Sequence, residues 1–535
     1  MLKLEALPIF LCLLSAPAGA YVTTGLPAHT HRAFLRKLTD DICNTSPGSL
    51  SIETVNHTAP MLMSAWAEAP EKLHLSAPAQ FSGKERAMAV EGLLKRMIDE
   101  RRAGNAAAIV KTQDYNAVMK SWAMSGEQSA AAVRVEEILT KMQDMYEAGD
   151  NDVQPDLVSF QIAIEAWTKA SDDENAPRRA HRILEWMCGL HLSSKNDLAA
   201  PDTSCFHMVL KSWAGSRKLE SPIMAEHLIM WMQHLQSIGL DSVKPDTMCF
   251  NIVMSAWLKS GDIAAEKRIR EIFEYMDRAS RNGHKHFKPD AGTYNIVISS
   301  ISPAVKKYFD SCAARRADKI LARLEKGFLA GDESLRPDTI IYNQVIDYWA
   351  KTQSVRGYFL KARDVLDRQI AMHASGVRRC KPDVMSYTAV IAACASTYGT
   401  WDEKKRAFEL AHKTFMECCE HSEPNDVTYG IMFKAVSRLL QSRAERDRYS
   451  RTLFSLTCED GFLGEMAFSR FEEAVSKEVF KELTNGVSCY GELPREWKRN
   501  AHQKSSSKKT SKKEETVTIR MNPALKSHTS QHASP

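Results

Sequence analysis

The 535-residue sequence lacks the spacing of a metal site or of a disulfide scaffold. Its twelve cysteines include no Cys-x-x-Cys pair, and the adjacent Cys418 and Cys419 are poorly spaced for a metal ion. Cys12 lies in an apolar leader, which leaves an odd eleven. Cys205 and Cys249 recur just before an aromatic residue, where a small apolar side chain fits. We therefore expect reduced thiols, mostly in the core, with no metal and no cofactor.

Signatures of catalysis are also missing. The sequence contains no zinc-deaminase His-x-Glu combined with Cys-x-x-Cys, no glycine-rich loop that cradles phosphate, and no credible nucleophile triad. We therefore predict that the protein is not an enzyme.

Net charge is nearly absent from most of the chain. Residues 499–535 carry 8 Lys and Arg against 2 Asp and Glu, a net charge of +6, so the total of +5 leaves −1 for residues 1–498. A uniformly basic nucleic-acid-binding body is thereby excluded. The Lys/Ser-rich segment 500–535 is predicted to be disordered, and it adds either salt-sensitive affinity for nucleic acid or only solubility.

Long apolar runs are confined to the N-terminal leader. Residues 1–20 combine one early lysine, a short apolar run and a small-residue exit, which is typical of a signal peptide cleaved after Ala20. Residues 21–45 have no acid before Asp40 and carry basic and hydroxyl side chains, as transit peptides do. Together they predict import into a plastid surrounded by extra membranes. A mitochondrial presequence and simple secretion are the alternatives, and reduced cysteines argue against secretion. No other segment is long and apolar enough to span a membrane.

An aromatic residue recurs every 42 to 48 residues. The eight copies are Tyr115, Phe160, Phe206, Phe250, Tyr294, Tyr342, Tyr387 and Tyr429. Tryptophan follows five of them by seven residues, at positions 122, 167, 213, 257 and 349, and a degraded earlier copy ends at Trp66. The apolar residues have the i, i+3, i+4, i+7 spacing of an amphipathic helix, and a second such stripe follows in each copy. The repeat is therefore predicted to be a helical hairpin.

The dipeptide Pro-Asp precedes most of these aromatics. Proline cannot continue a helix, and the aspartate, or the Thr or Ser after it, caps the next one. We count nine hairpins between residues 54 and 460. Because one hairpin cannot bury both its apolar faces, we predict an all-α fold, an α-solenoid superhelix of about nine stacked helix-turn-helix hairpins with the tryptophans in its core. Residues 461–499 are predicted to cap the last apolar face.

The phrase Lys-Pro-Asp-x-x-x-Tyr-Asn-x-Val-Ile at residues 288–298 resembles the pentatricopeptide repeat (PPR). The resemblance recurs in at least seven copies over about 400 residues, with a period near 45 residues that is longer than the family's usual one. It implies a long-repeat PPR protein without an added catalytic domain. Such a protein binds single-stranded RNA at one base per repeat.

The resemblance also implies which side chains recognise the bases, namely the residue after the aromatic and the last residue of the repeat. Carried onto this chain, these base-reading pairs are Asn116 with Asp156, Gln161 with Asp202, His207 with Asp246, Asn251 with Asp290, Asn295 with Asp338, Asn343 with Asp383, and Thr388 with Asn425. Asn with Asp resembles the uridine-reading pair and Thr with Asn the adenine-reading pair, whereas Gln/Asp and His/Asp are off the common code. The implied site is 5′-U-?-?-U-U-U-A-3′.

Lysines lie on the same helix face as several base-reading residues. Lys169, Lys259 and Lys351 follow a base-reading residue by eight positions, within reach of phosphate. The alternative for these lysines is a solvated helix face. For the Asn and Asp residues, the alternative is ordinary bonding to local backbone and helix capping.

We therefore expect a sequence-selective single-stranded RNA-binding protein of an organelle. It would act in RNA processing, stability or translation by occupying a U-rich site or by guiding other RNA-processing proteins, as a monomer that does not enter a membrane. The alternative is an α-solenoid scaffold for protein–protein interaction, which the neutral body charge and the acidic Glu165 and Asp347 on the base-reading face favour.

Overall fold

The computed structural model of the chain describes residues 28–51, 54–72, 82–105, 108–216, 218–308, 311–352 and 356–501. All the regular structure in these ranges is helical, with 21 α-helices. None of these helices is both long and apolar enough to cross a membrane. The predicted signal peptide, residues 21–27 of the transit-like segment and the tail after residue 501 lie outside the described residues.

Helix α1 (Ala28–Cys43) precedes an alternating series of A and B helices. The A helices are α2 (Ala59–Lys72), α4 (Thr112–Ala123), α6 (Leu157–Lys169), α8 (Thr203–Gly215), α10 (Thr247–Ser260), α12 (Ala291–Tyr308), α14 (Thr339–Lys351), α16 (Val384–Ala395) and α18 (Asp426–Leu439). The B helices are α3 (Gly83–Arg102), α5 (Gln128–Glu147), α7 (Ala176–Leu192), α9 (Ser221–Ser237), α11 (Ala265–Arg281), α13 (Ser311–Leu329), α15 (Tyr358–Ala374), α17 (Trp401–His421) and α19 (Arg443–Glu459). The described residues thus contain nine consecutive A/B pairs, as predicted. Helices α20 (Glu465–Ala474) and α21 (Lys477–Leu483) follow.

The chain packs as two compact units. Unit 1 comprises residues 1–355 and 369–381, and unit 2 comprises residues 356–368 and 382–535. In unit 1 each A helix from α2 to α12 packs against its own B helix and against the next A helix, and each B helix from α3 to α13 packs against the A helix that follows it. The same pattern runs from α16 to α20 in unit 2, where α20 packs on α18 as a further A helix would. The predicted all-α solenoid of stacked hairpins is therefore confirmed within each unit.

The recurrent aromatic residues form the core of each stack. Phe160, Phe206 and Tyr342 are fully buried in the first turns of their A helices, and Trp167 and Trp213 are 1% exposed near the helix ends. Trp66, Trp257 and Trp349 are also buried, whereas Trp122 is half-buried. The prediction that the tryptophans are core residues is confirmed for these five buried copies. The thiols of Cys205 and Cys249 lie in the core as well.

The Pro-Asp aspartates cap the A helices, as predicted. Asp156, Asp202, Asp246, Asp338 and Asp383 precede α6, α8, α10, α14 and α16, and each carboxylate accepts a hydrogen bond from the backbone N–H three residues later. This bond satisfies an amide that has no partner inside the helix.

The threonine that follows the aspartate does not cap the helix, although the sequence analysis considered it as an alternative cap. Thr247 Oγ1 donates to the carbonyls of His286 at 3.0 Å and Lys288 at 2.8 Å, in the loop that leads to the next A helix. Thr203 and Thr339 make the corresponding contacts to their next loops. These hydroxyls fix the start of one A helix to the loop that leads to the next A helix.

A charged bridge also joins consecutive pairs at the tryptophans. Trp257 Nε1 donates to Glu226 Oε1 at 2.6 Å, and the Arg268 guanidinium contacts both oxygens of that carboxylate at 2.9 and 2.7 Å. Glu226 lies in α9, Trp257 in α10 and Arg268 in α11, so the bridge joins one B helix to both helices of the next pair. The arrangement recurs at Glu91 with Trp122 and Arg134, and at Glu136 with Trp167 and Arg179. The sequence analysis did not identify it.

We expect Trp257→Ala to lower the free energy of unfolding by about 3–5 kcal/mol, because it leaves a cavity and removes the indole hydrogen bond to Glu226. Urea denaturation followed by circular dichroism measures the loss. The control is Ile263→Ala, at a fully exposed position, with an expected change within about 0.5 kcal/mol. Equal midpoints for the two variants would refute a core role for Trp257.

Candidate nucleic-acid interface

The first member of each predicted base-reading pair lies near the start of an A helix, directly after the buried aromatic. Asn116 Nδ2 donates to Asp156 Oδ1 at 3.1 Å, and Asn251 Nδ2 donates to Asp290 Oδ1 at 3.1 Å. Because each of these aspartates lies at the start of the next A helix, each pair bridges two neighbouring repeats. The structure therefore brings together residues that are about 40 positions apart in the sequence.

The two pairs outside the common code have the same arrangement. Gln161 Nε2 donates to Asp202 Oδ2 at 3.2 Å, and His207 Nε2 lies 3.0 Å from Asp246 Oδ1. Burial tends to raise the pKa of Asp246, but hydrogen bonds from His207 and from the backbone N–H of Cys249 outweigh it and lower that pKa to about 2. Asp246 is therefore held as a carboxylate that faces the ring of His207.

Among the remaining three predicted pairs, Asn295–Asp338 and Thr388–Asn425 do not show this contact. Asp338 caps α14, and the described residues show no hydrogen bond between it and Asn295. Asn343 belongs to unit 1 and Asp383 to unit 2. The Thr388 hydroxyl lies 2.7 Å from the Thr428 hydroxyl, while Asn425 caps α18 through the backbone N–H of Thr428. Of the six predicted couples whose two members lie in the same unit, four are in direct hydrogen-bond contact.

His207, Asp246 and Cys249 are also the one group of three metal-ligating side chains in the described part of the chain, with ligand atoms within 4.8 Å of one another. Burial raises the pKa of the Cys249 thiol, and its Sγ donates to the Met232 sulfur at 3.8 Å. Because a metal needs the thiolate, this buried neutral thiol is poorly suited as a ligand.

The three predicted phosphate lysines differ in their surroundings. Lys169 Nζ pairs with Glu165 at 2.8 Å, and Lys351 pairs with Asp347, one turn earlier in each helix. Ser255 occupies that position before Lys259, and among the described residues no carboxylate pairs with Lys259. Of the three, Lys259 therefore offers its charge most fully to a phosphate.

Exposed apolar side chains next to the base-reading positions escaped the sequence analysis. Each lies two residues after the capping residue and three before the base-reading position, and each is at least 41% exposed. They are Val158, Met248, Ile340, Met385 and Val427. Residues three apart lie on the same helix face. The signal in the sequence is an apolar residue just after Pro-Asp, ahead of the buried stripe.

A basic group in unit 2 was also missed. Lys434 and Arg438 lie one turn apart on α18, and burial, together with repulsion from Arg438 and Arg470, lowers the pKa of Lys434. The Arg438 guanidinium lies 4.9 Å over the ring of the exposed Tyr398 and bonds its hydroxyl. This cluster joins positive charge to an exposed aromatic ring, a combination suited to nucleic acid.

The base-reading register ends at α18. Gly430 occupies the position after the aromatic Tyr429, and a Cβ there would lie 2.8 Å from the methyl of Met466 in α20. The space that a base-reading side chain would occupy is therefore filled by α20. Thr388 is therefore the last candidate base-reading side chain before this position.

No family model matches this chain, and no curated protein matches it. Among solved structures, the chain is similar to the pentatricopeptide repeat protein PPR10 in complex with an 18-nucleotide psaJ RNA element, with 15% identity and a TM-score of 0.32 over 91% of this chain and 68% of PPR10. A cysteine-to-serine variant of PPR10 with the same RNA element gives the same values.

We expect His207→Ala to raise the pKa of Asp246 from about 2 towards its ordinary 3.8, because the variant removes the hydrogen bond of the ring. Carbon-13 NMR titration of the aspartate carboxyl groups measures this pKa, with His234→Ala as the control. Since the folded pKa lies below the unfolded one, ionised Asp246 stabilises the native protein above about pH 4, and this contribution is lost as the pH falls towards 2. An unchanged Asp246 pKa in His207→Ala would contradict the assignment.

Proposed function

We propose that the protein is a PPR-type RNA-binding protein that recognises single-stranded RNA in a base-selective manner, one base per repeat. The observation that carries the proposal is the contact between a side-chain amide and a carboxylate at one register of successive A helices, at Asn116–Asp156, Gln161–Asp202 and Asn251–Asp290. It fits the base-reading pairs that the sequence resemblance implies.

The chemistry of these pairs suits a base edge. An amide group has two N–H donors and two oxygen lone pairs, so Asn251 retains a donor and an acceptor after it binds Asp290. The exposed Met248 on the same face offers an apolar surface for the flat side of a base. Lys259 and the Lys434–Arg438 group offer charge to phosphates, so affinity comes from local charge on a neutral body.

A protein scaffold is the second candidate, and one observation favours it. Lys169 and Lys351 are neutralised by Glu165 and Asp347 on the same face, which weakens the attraction to RNA. Salt dependence and base preference distinguish the two functions.

The deciding experiment measures binding to single-stranded UNNUUUA and to the same RNA with UUU changed to GGG, at low and at physiological salt. Residues 40–535 and a version that ends at Arg499 are compared. We expect UUU-selective binding by both proteins, because the base contacts lie in the repeats, with weaker salt dependence without the tail. Equal binding to both RNAs that needs the tail and vanishes with salt would favour a protein-binding scaffold.

We also propose that the protein acts in an organelle, in RNA processing, stability or translation. This rests on the two-part pattern of residues 1–45. A fluorescent protein fused to residues 1–45 is expected to enter plastids in cells whose plastids have extra membranes. A fusion of residues 21–45 alone is not expected to enter them, because the signal peptide directs the first step of import. Secretion of the first fusion, or mitochondrial import of the second, would refute the plastid proposal.

A further inference from the structure

Two of the base-reading asparagines, Asn116 and Asn251, contact a hydroxyl side chain besides the aspartate. Ser159 Oγ donates to Asn116 Oδ1 at 2.7 Å, and Thr293 Oγ1 donates to Asn251 Oδ1 at 2.7 Å. Both hydroxyls are fully buried in the first turn of the next A helix, three residues after the capping aspartate. Each base-reading amide is therefore bonded at its nitrogen by the aspartate and at its oxygen by the hydroxyl.

We propose that this hydroxyl, contributed by the following repeat, fixes the orientation of the base-reading amide and thereby sets how strictly that repeat selects its base. The inference rests on the proposed RNA-binding function. Ser159 and Thr293 are then positioning residues that act on RNA only through Asn116 and Asn251.

Hydrogen-bond chemistry gives the reason. The Thr293 hydroxyl accepts from the backbone N–H of Asp290 at 3.1 Å, so it is itself held. Its one proton has two acceptors within reach, Asn251 Oδ1 at 2.7 Å and Asp290 Oδ1 at 2.9 Å, and Asn251 is the nearer. With the amide as observed, Asn251 Nδ2 faces the Asp290 carboxylate and Oδ1 faces that proton. The reverse orientation would set the amide oxygen against the carboxylate oxygen. The donor and acceptor left for a base therefore have fixed places.

One repeat supplies a natural contrast. Ile341 occupies the position that Ser159 and Thr293 occupy in their own repeats, and it cannot donate a hydrogen bond. Asn295 Oδ1 is buried without a hydrogen-bond partner among the described residues, and Asp338 is engaged by the backbone N–H of Ile341 at 3.0 Å. The amide of Asn295 thus lacks both contacts that fix Asn251. We infer that the Asn295 repeat distinguishes bases less strictly than the Asn251 repeat.

Three variants of the full chain test this inference. Thr293→Val removes the hydroxyl at nearly constant shape, Thr293→Ser retains it as the matched control, and Ile341→Thr introduces one beside Asn295. Each is titrated with UNNUUUA and with RNAs in which the fourth or the fifth base is replaced by C. These two bases correspond to Asn251 and Asn295, and U and C differ in the donor and acceptor order of their pairing edges.

We expect wild type to discriminate U from C more strongly at the fourth base than at the fifth. Thr293→Val is expected to lower the preference for U over C at the fourth base by about fivefold to tenfold, which is the value of one hydrogen bond, and to leave the fifth base unaffected. Thr293→Ser is expected to keep the preference. Ile341→Thr is expected to gain a similar factor at the fifth base. Circular dichroism and the melting temperature establish that each variant is folded.

The outcomes separate this inference from the proposed function. If wild type discriminates at the fourth base, and Asn251→Ala abolishes this while Thr293→Val does not change it, the RNA-binding function stands and the positioning role is overturned. If wild type shows no base preference at either position, the proposed function fails and the inference fails with it. Should Ile341→Thr not fold, the comparison of Thr293→Val with Thr293→Ser still decides.

Discussion

The rest of the structure depends on one hydrogen bond. In it, the carboxylate of the Pro-Asp aspartate accepts from a backbone N–H in the first turn of the A helix that follows. It sets where A helices such as α6 and α10 begin, and hence the register of the buried aromatic four residues later. The same carboxylate reaches back to the preceding repeat, where it contacts Asn116 or Asn251. One aspartate side chain thus sets the start of a helix, marks the boundary between two repeats and takes part in a candidate base contact. Its replacement would affect all three.

In the nearly neutral part of the chain, residues 1–498, oppositely charged side chains contact each other between consecutive A/B pairs and within single helices. Glu226 pairs with both Trp257 and Arg268, and Glu165 and Asp347 pair with lysines on their own helices. These contacts place acidic and basic side chains side by side, in keeping with the net charge of −1 over residues 1–498. The charge left for phosphate is local, at Lys259 and in the group of Lys434, Arg438 and Arg470.

Much of the fold was predictable because it depends on local chemistry repeated many times. A proline that stops a helix, an aspartate that caps one, and an aromatic with a tryptophan seven residues later act within a few turns, so the nine pairs and their core could be inferred. The loop contacts of Thr247 and the Glu226 bridge could not, because their partners lie about 40 residues away and depend on how the helices stack. For the same reason, the cluster around Lys434 needs α20, which brings Arg470 near it.

By itself, the sequence determined the helix type, the repeat length, the core stripe and the register of the candidate base contacts. Only the tertiary structure decided which candidate pairs meet, since each pair joins two repeats and depends on the residue that packs between them. A hydroxyl at Ser159 or Thr293 bonds the asparagine oxygen, whereas Ile341 leaves that of Asn295 without a partner among the described residues. Repeats with the same Asn and Asp residues therefore differ in the hydrogen bonds of the asparagine amide. These bonds depend on neighbouring residues that the stacking of the helices brings together.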